Sequence, residues 1–403
     1  MKILYIAAVG TLAYRARHHD TGFELGGLRK AQMSIDALTR AGHEVMVLSS
    51  VVTSANRIEW RNEERERWAL APGRIVEVRY PATFPVRAVG GLFNSVRAPW
   101  LARRLLEDFV PDMIVSYNTY VFESLASMTI RSRTGAPIIL QVEDLPLARR
   151  REYGNLKPWL DQRCWPHMLR AASAFTAVNQ SILSMLPAAK PKRLLPGIID
   201  DGLMRASELR SPPFSSATRS LGYFGGLSRE KGVGVLLEVA NSLPDAWRLR
   251  VAGSGPLKSE FEALARAKPD RVEFLGNLSG EALYEALCSC DATAVPLERI
   301  TGSGAGVFPF KVLEYLVART HIISTSLPSI GEVDLGFIGR WDGSATGLVS
   351  ALQRAEVAYR DEQSLREAAA NVARARFSVA GASALFSELL HAANTSPAER
   401  GHD

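Results

Sequence analysis

Three glycine-bearing segments in the second half of the chain carry residue types suited to holding a phosphate. The first is Leu221-Gly222-Tyr223-Phe224-Gly225-Gly226-Leu227-Ser228-Arg229-Glu230-Lys231-Gly232. It predicts a strand ending in two glycines, then a basic loop, then a helix. Glycine lets a backbone come close to a ligand. A helix start offers free N–H groups and partial positive charge, and Lys231 adds a full charge. Taken alone, the segment fits a tight turn with a surface lysine equally well. The second segment, Val251-Ala252-Gly253-Ser254-Gly255-Pro256, is another strand end with small residues. The third runs from Gly302 through Gly304 and Gly306 to Phe310-Lys311-Val312-Leu313-Glu314-Tyr315. A glycine-rich loop there enters an amphipathic helix, and Lys311 and Glu314 share one face of it. Lys311 could hold an anion and Glu314 could accept hydrogen bonds from sugar hydroxyls. The competing reading is an intrahelical Lys–Glu pair on a solvated face.

In the first half, Glu143 and Asp144 follow the apolar run Ile138–Val142. That places two carboxylates at the end of a buried strand, facing an acceptor or capping the next segment. The histidines form no metal-like cluster. His18-His19-Asp20 comes nearest, in the loop after the first strand, where a substrate contact fits better than a metal.

Positioning these groups requires alternating strands and helices. Short apolar runs at Ile3–Val9, Glu44–Leu48, Arg74–Tyr80, Asp112–Ser116, Ile138–Val142 and Ala174–Val178 are separated by helical stretches near Leu28–Arg40, Glu123–Ser132 and Leu160–Ala172. This is the pattern of parallel β-α-β units. Arg57–Arg67 is densely charged and predicts a solvated segment. Prolines and glycines gather between 196 and 217, which predicts a hinge. The strand–helix pattern then restarts at Ser220–Gly225 and runs through strands 247–253, 272–275, 292–296 and 321–324 to a helical end. The expected division is 1–200, 201–375, and a C-terminal helix with a frayed tail at 376–403 that packs back towards the first domain. Both domains are expected to be Rossmann-like, α/β and doubly wound, facing across a cleft where ligands bind at strand carboxyl ends.

The order of these motifs from Leu221 to Phe377 resembles the retaining glycosyltransferases of family 4, which have the GT-B fold. The matching stretches include Arg229-Glu230-Lys231-Gly232, Ala252-Gly253-Ser254-Gly255-Pro256, Val272-Glu273-Phe274-Leu275-Gly276, Cys290-Asp291-Ala292 and Phe310–Tyr315. In the first half, Gly26-Gly27-Leu28 and Arg40-Ala41-Gly42-His43-Glu44-Val45 are similar to the family's acceptor-side opening, and Pro196-Gly197 falls at its interdomain turn.

The resemblance implies transfer of a sugar from a nucleoside diphosphate sugar to a hydroxyl, with retention and without a tightly bound metal or cofactor. Lys231 would contact the diphosphate, Glu314 the ribose, and Gly276 to Leu278 would lie by the base. Gly26 and Gly27 would let the N-terminal loop reach the phosphates. The candidate catalytic residues are Lys231, Glu314 and Asp144. The candidate donor-binding residues are Gly26, Gly27, Gly225, Gly226, Arg229, Lys231, Gly253, Gly276, Leu278, Gly304, Lys311 and Glu314.

Departures from the family pattern are specific. Gly226 stands where an arginine is common, with Arg229 a candidate substitute for its charge. Gly306 stands where the first glutamate of a paired-glutamate motif is common, and Lys311 with Tyr315 fits a Lys-x-x-Glu-Tyr variant. Glu143-Asp144 replaces a His–Asp pair. Two alternatives therefore stay open: a degenerate homologue that binds a nucleotide sugar or a partner transferase without turnover, and a nucleotide-sugar 2-epimerase.

The chain has 403 residues, a net charge of +6 and a sequence pI of about 9.3. This favours anionic partners. No nucleic-acid signature is present, nor any apolar run of the roughly 18–20 residues needed to cross a bilayer. Cys164, Cys288 and Cys290 match no zinc spacing and are expected to be reduced thiols of a cytoplasmic protein. Val86–Leu105 and Leu147–Arg170 mix arginines with large apolar residues. They fit solvated helices over buried tryptophans, or a peripheral contact with an anionic inner membrane face near a glycan or lipid-linked acceptor.

Overall fold

The computed structural model describes residues 1–18, 25–52, 60–71, 73–84, 86–145, 156–296, 310–325 and 337–395, with backbone alone for 25–27, 87–89 and 156–158. The chain divides into two compact units. The first comprises Met1–Ile198 with Val379–Asp403, and the second Ile199–Gly304 with Phe308–Ser378.

The first unit is built on an eight-stranded sheet of order β3-β4-β2-β1-β5-β6-β7-β8. These strands are β1 (Lys2–Ala7), β2 (Glu44–Ser49), β3 (Glu64–Ala71), β4 (Arg74–Tyr80), β5 (Met113–Tyr117), β6 (Ile138–Val142), β7 (Ala174–Ala177) and β8 (Lys192–Leu194). β1 and β6 are apolar along most of their length because both faces of a central parallel strand are covered, and all of β6 is buried. Helix Leu25–Arg40 joins β1 to β2, and Val379–Thr395 packs against it and against β6 and β7. Helices Arg87–Leu105, Val121–Thr134 and Leu156–Ala171 lead rightward through the sheet and pack side by side. Right-handed crossovers place them on the opposite face.

The expectation for Arg57–Arg67 is corrected in part. Residues 53–59 lie outside the described set, but from Glu64 the chain forms β3, antiparallel to β4 at the sheet edge. Its burial alternates along ERERWALA, so charge on the wet face of an edge strand gives the sequence a solvated look. The expected hinge also contains a helix, Asp201–Glu208, started by Asp200, whose Oδ1 accepts from the Gly202 N–H at 2.7 Å.

The second unit has a six-stranded parallel sheet of order β11-β10-β9-β12-β13-β14. Its strands are β9 (Arg219–Phe224), β10 (Trp247–Ala252), β11 (Val272–Phe274), β12 (Ala292–Val295), β13 (His321–Ser324) and β14 (Gly339–Arg340). Leu221, Tyr223, Leu249, Val251, Ala292, Ala294 and Ile323 join Leu236, Phe261 and Leu348 in one apolar core. The order reverses between β9 and β12. In an open α/β sheet, such a switch point is where ligands bind, beyond the strand carboxyl ends. Among the described residues no helix is long and apolar enough to cross a membrane.

Candidate functional site

Three neighbouring parallel strands of the second unit end in glycines: β9 at Gly225, β10 at Gly253 and β11 at Gly276. Their backbones are laced together. The Gly225 N–H donates to the Ala252 carbonyl at 2.8 Å, and the Gly253 N–H to the Gly276 carbonyl at 2.7 Å. Gly225 has φ 144° and Gly253 φ 148°, a region where side chains are strained. A Cβ on Gly253 would strike the Gly225 carbonyl, so the two strand ends can meet this closely only as glycines.

Two lysines cross this glycine floor. A Cβ on Gly225 would collide with Nζ and Cε of Lys311, and one on Gly226 would come within 2.7 Å of Lys231 Nζ. Lys231 ends the short 3-10 turn Arg229–Lys231, which follows β9. Lys311 opens the helix Lys311–Val317. That helix is docked by Tyr315, whose hydroxyl accepts the Phe224 N–H at 3.3 Å at the end of β9. Lys311 and Tyr315 are four apart on one helical face, so fixing Tyr315 also fixes Lys311 beside Gly225. The Lys311 ammonium sits 4.0 Å from the centroid of the Tyr223 ring. Tyr223 is held in turn by its hydroxyl, which donates to the Gly226 carbonyl at 2.8 Å.

The electrostatics follow from this convergence. Burial draws the Lys311 pKa down to about 7. Repulsion from Lys231 adds to the fall and Glu314 opposes it. Glu314 is itself 7% exposed. The solvated Lys–Glu pair considered from the sequence is therefore corrected, since this face of the helix packs inward. Two lysines over glycine backbone at a strand–helix junction can bind a diphosphate, and an anion between them relieves their repulsion and favours the charged form of Lys311.

The remaining expected donor residues are placed as follows. Arg229 turns to Glu260 at 3.0 Å and is largely exposed. Leu278 is half-buried, just beyond Gly276 on the loop after β11. Gly304 lies outside the described residues. Tyr223 and the docking role of Tyr315 escaped sequence reasoning, although the four-residue step from Lys311 to Tyr315 carried the signal for the latter.

In the first unit, Gly26 and Gly27 stand in the first turn of helix Leu25–Arg40, so they belong to a helix start and not to a free loop. Asp144 follows β6. Its Oδ2 accepts from the Tyr120 hydroxyl at 3.0 Å, and its N–H donates to Asn118 Oδ1 at 3.0 Å. Asn118, itself left-handed at φ 66°, also takes the Glu143 N–H on its Oδ1 at 2.8 Å. One amide oxygen thus fixes both acidic residues. The Glu143 side chain is buried and pairs with Lys30 at 2.5 Å, while Lys30 also donates to the Leu195 carbonyl at 2.6 Å. Burial pushes the Glu143 pKa up and Lys30 opposes it. Burial pulls Lys30 down and Glu143 opposes it. Lys30 was not anticipated from the sequence. His18 is tied to Glu64 at 2.5 Å, and His19 and Asp20 lie outside the described residues.

Comparison with known proteins agrees with this architecture. Residues 218–355 match the family model "Glycosyl transferases group 1", and residues 26–190 match "Glycosyl transferase 4-like domain". No curated protein matches the sequence. Solved structures with the same fold include sucrose-phosphate synthase from Thermosynechococcus elongatus, with a TM-score of 0.66, 14% identity, and coverage of 97% of this chain and 98% of that one. Anabaena HepE in complex with UDP has a TM-score of 0.64 and 15% identity over 97% of this chain and 100% of that one. The lipopolysaccharide outer core galactosyltransferase WaaB, in its apo form, has a TM-score of 0.60 and 15% identity over 97% and 99%. The fold is GT-B. Its two halves carry glycosyltransferase domains, of the 4-like kind in the first and of the group 1 kind in the second.

Proposed function

We propose that this protein transfers a hexosyl group from a nucleoside diphosphate sugar to a hydroxyl acceptor with retention, in polysaccharide or glycoconjugate assembly. The observation that carries the reading is the convergence of Lys231 and Lys311 over Gly225 and Gly226 at the ends of the central strands. Positive charge there stabilises a departing diphosphate, the group on which negative charge develops during transfer. Glu314 binds the ribose, and the turn from Gly276 to Leu278 borders the base. Asp144, oriented by Asn118 and Tyr120, serves the acceptor side. The donor acts as a co-substrate, and no resident cofactor or metal takes part. HepE, which shares the fold, was solved in complex with UDP, and this supports a nucleotide as ligand.

The test is to incubate the protein with UDP-, GDP-, ADP- and dTDP-sugars and follow release of the nucleoside diphosphate. The product's anomeric configuration is then read by NMR. Turnover with one donor, retention in the product, and loss of about a hundredfold or more in Glu314→Ala are expected. An inverted product overturns the retention assignment. Full turnover in Glu314→Ala overturns the role of that residue.

A further inference from the structure

Helix Arg87–Leu105 turns Asn94, Ala98, Leu101, Ala102 and Leu105 inward. Its opposite side carries Leu92, Val96 and Trp100, which are 48%, 73% and 48% exposed. Steps of four residues align these three on one stripe. An ordinary solvated helix presents charges of both signs there. This one contains no aspartate or glutamate, and all its charged residues are arginines. The Arg97 guanidinium lies 4.8 Å from the Phe93 ring centre and 5.0 Å from that of Trp100, and Arg104 lies 5.5 Å from Trp100. Trp60, 46% exposed, extends the apolar surface edge-on to Phe93 at 5.6 Å.

The same combination recurs two helices along the layer. Trp159 on helix Leu156–Ala171 is 48% exposed, with Arg163 4.5 Å from its ring centre. Acidic side chains do approach the rim. Glu63 is 3.3 Å from Arg104, and Glu107 stands just past the helix end. Neither lies on the Leu92–Val96–Trp100 stripe.

We propose that this helical layer docks on an anionic lipid bilayer. Leu92, Val96, Trp100 and Trp159 enter the headgroup zone, and Arg97, Arg103, Arg104 and Arg163 meet lipid phosphates. Tryptophan favours that zone because its ring is apolar and its N–H can stay wet. Arginine stacked on an aromatic ring keeps its charge at the same depth. Charge complementarity selects the occupant: a stripe on a helix whose only charges are arginines, on a chain of net charge +6, matches a negative surface. The inference does not depend on which donor or acceptor the site takes.

The test is flotation of the full chain with phosphatidylcholine vesicles, with and without phosphatidylglycerol. Binding is expected to the anionic vesicles only and to weaken with salt. Arg103→Gln and Arg104→Gln should each lower partition about fivefold. The triple variant Leu92→Ser/Val96→Ser/Trp100→Ser should lower it about tenfold or more while remaining folded with a modestly lower melting temperature, because these side chains are about half exposed or more. Absence of binding to anionic vesicles overturns the proposal. So does undiminished binding by the triple variant. Self-association that the triple variant abolishes, in a chain that ignores vesicles, assigns the face to a second copy instead.

Discussion

The Lys311 ammonium stands 4.0 Å from the centre of the Tyr223 ring and shares its corner of the sheet with Lys231. With a pKa of about 7, Lys311 is only partly charged at neutral pH. The folded state favours its neutral form. The unfolded chain therefore binds more protons between pH about 7 and the ordinary lysine range, and this group's contribution to stability rises with pH across that window. A diphosphate reverses the preference, since it binds the charged form. Nucleotide affinity should level off just below pH 7, until the terminal phosphate takes up a proton of its own at about pH 6. Above pH 7, affinity should fall by up to about tenfold per pH unit, with uptake of one proton on binding. Calorimetric titrations in buffers of different ionisation heat measure both. Lys311→Met should bind more weakly and lose the slope.

The glycines at the strand ends are not equivalent. Gly253→Ala puts a methyl into the Gly225 carbonyl at a strained φ, and a loss of about 4 kcal/mol or more is expected. Gly276 also has a positive φ, 72°, but nothing stands within contact of an added Cβ. Gly276→Ala should cost only about 1–2 kcal/mol, the left-handed penalty by itself. Urea unfolding of the two variants gives the comparison.

The buried Lys30–Glu143 pair should be asymmetric under mutation. Lys30→Met leaves the Glu143 carboxylate buried beside Asp144 without its cation, and should destabilise by about 3–5 kcal/mol. Lys30→Met with Glu143→Leu removes both charges and should recover most of that loss. Denaturant midpoints of the two single variants and the double variant form the cycle.

Much of the strand-end architecture of the second unit was legible in the sequence because it is local. Gly225, Gly253 and Gly276 announce themselves as the small residues that end apolar runs, and the runs correspond closely to β9, β10 and β11. The Lys311–Glu314–Tyr315 spacing is likewise local to one helix. The Lys30–Glu143 pair joins residues 113 positions apart, and no periodicity signals it. Asn118 looks like an ordinary loop polar residue until its oxygen is seen to take two N–H groups. β3 was hidden because an edge strand with neither face fully buried can carry charge on both, as Glu64 to Arg67 do, without any core-like run.

Titration of the purified protein with UDP, GDP, ADP, dTDP and CMP most directly tests the central claim that Lys231 and Lys311 form a diphosphate site. Saturable binding of one nucleoside diphosphate is expected, with a rise in melting temperature with its concentration, and affinity lowered about tenfold or more by either Lys231→Met or Lys311→Met. Absence of binding by every nucleotide at millimolar concentration, or tight binding that both lysine variants retain, would contradict the claim.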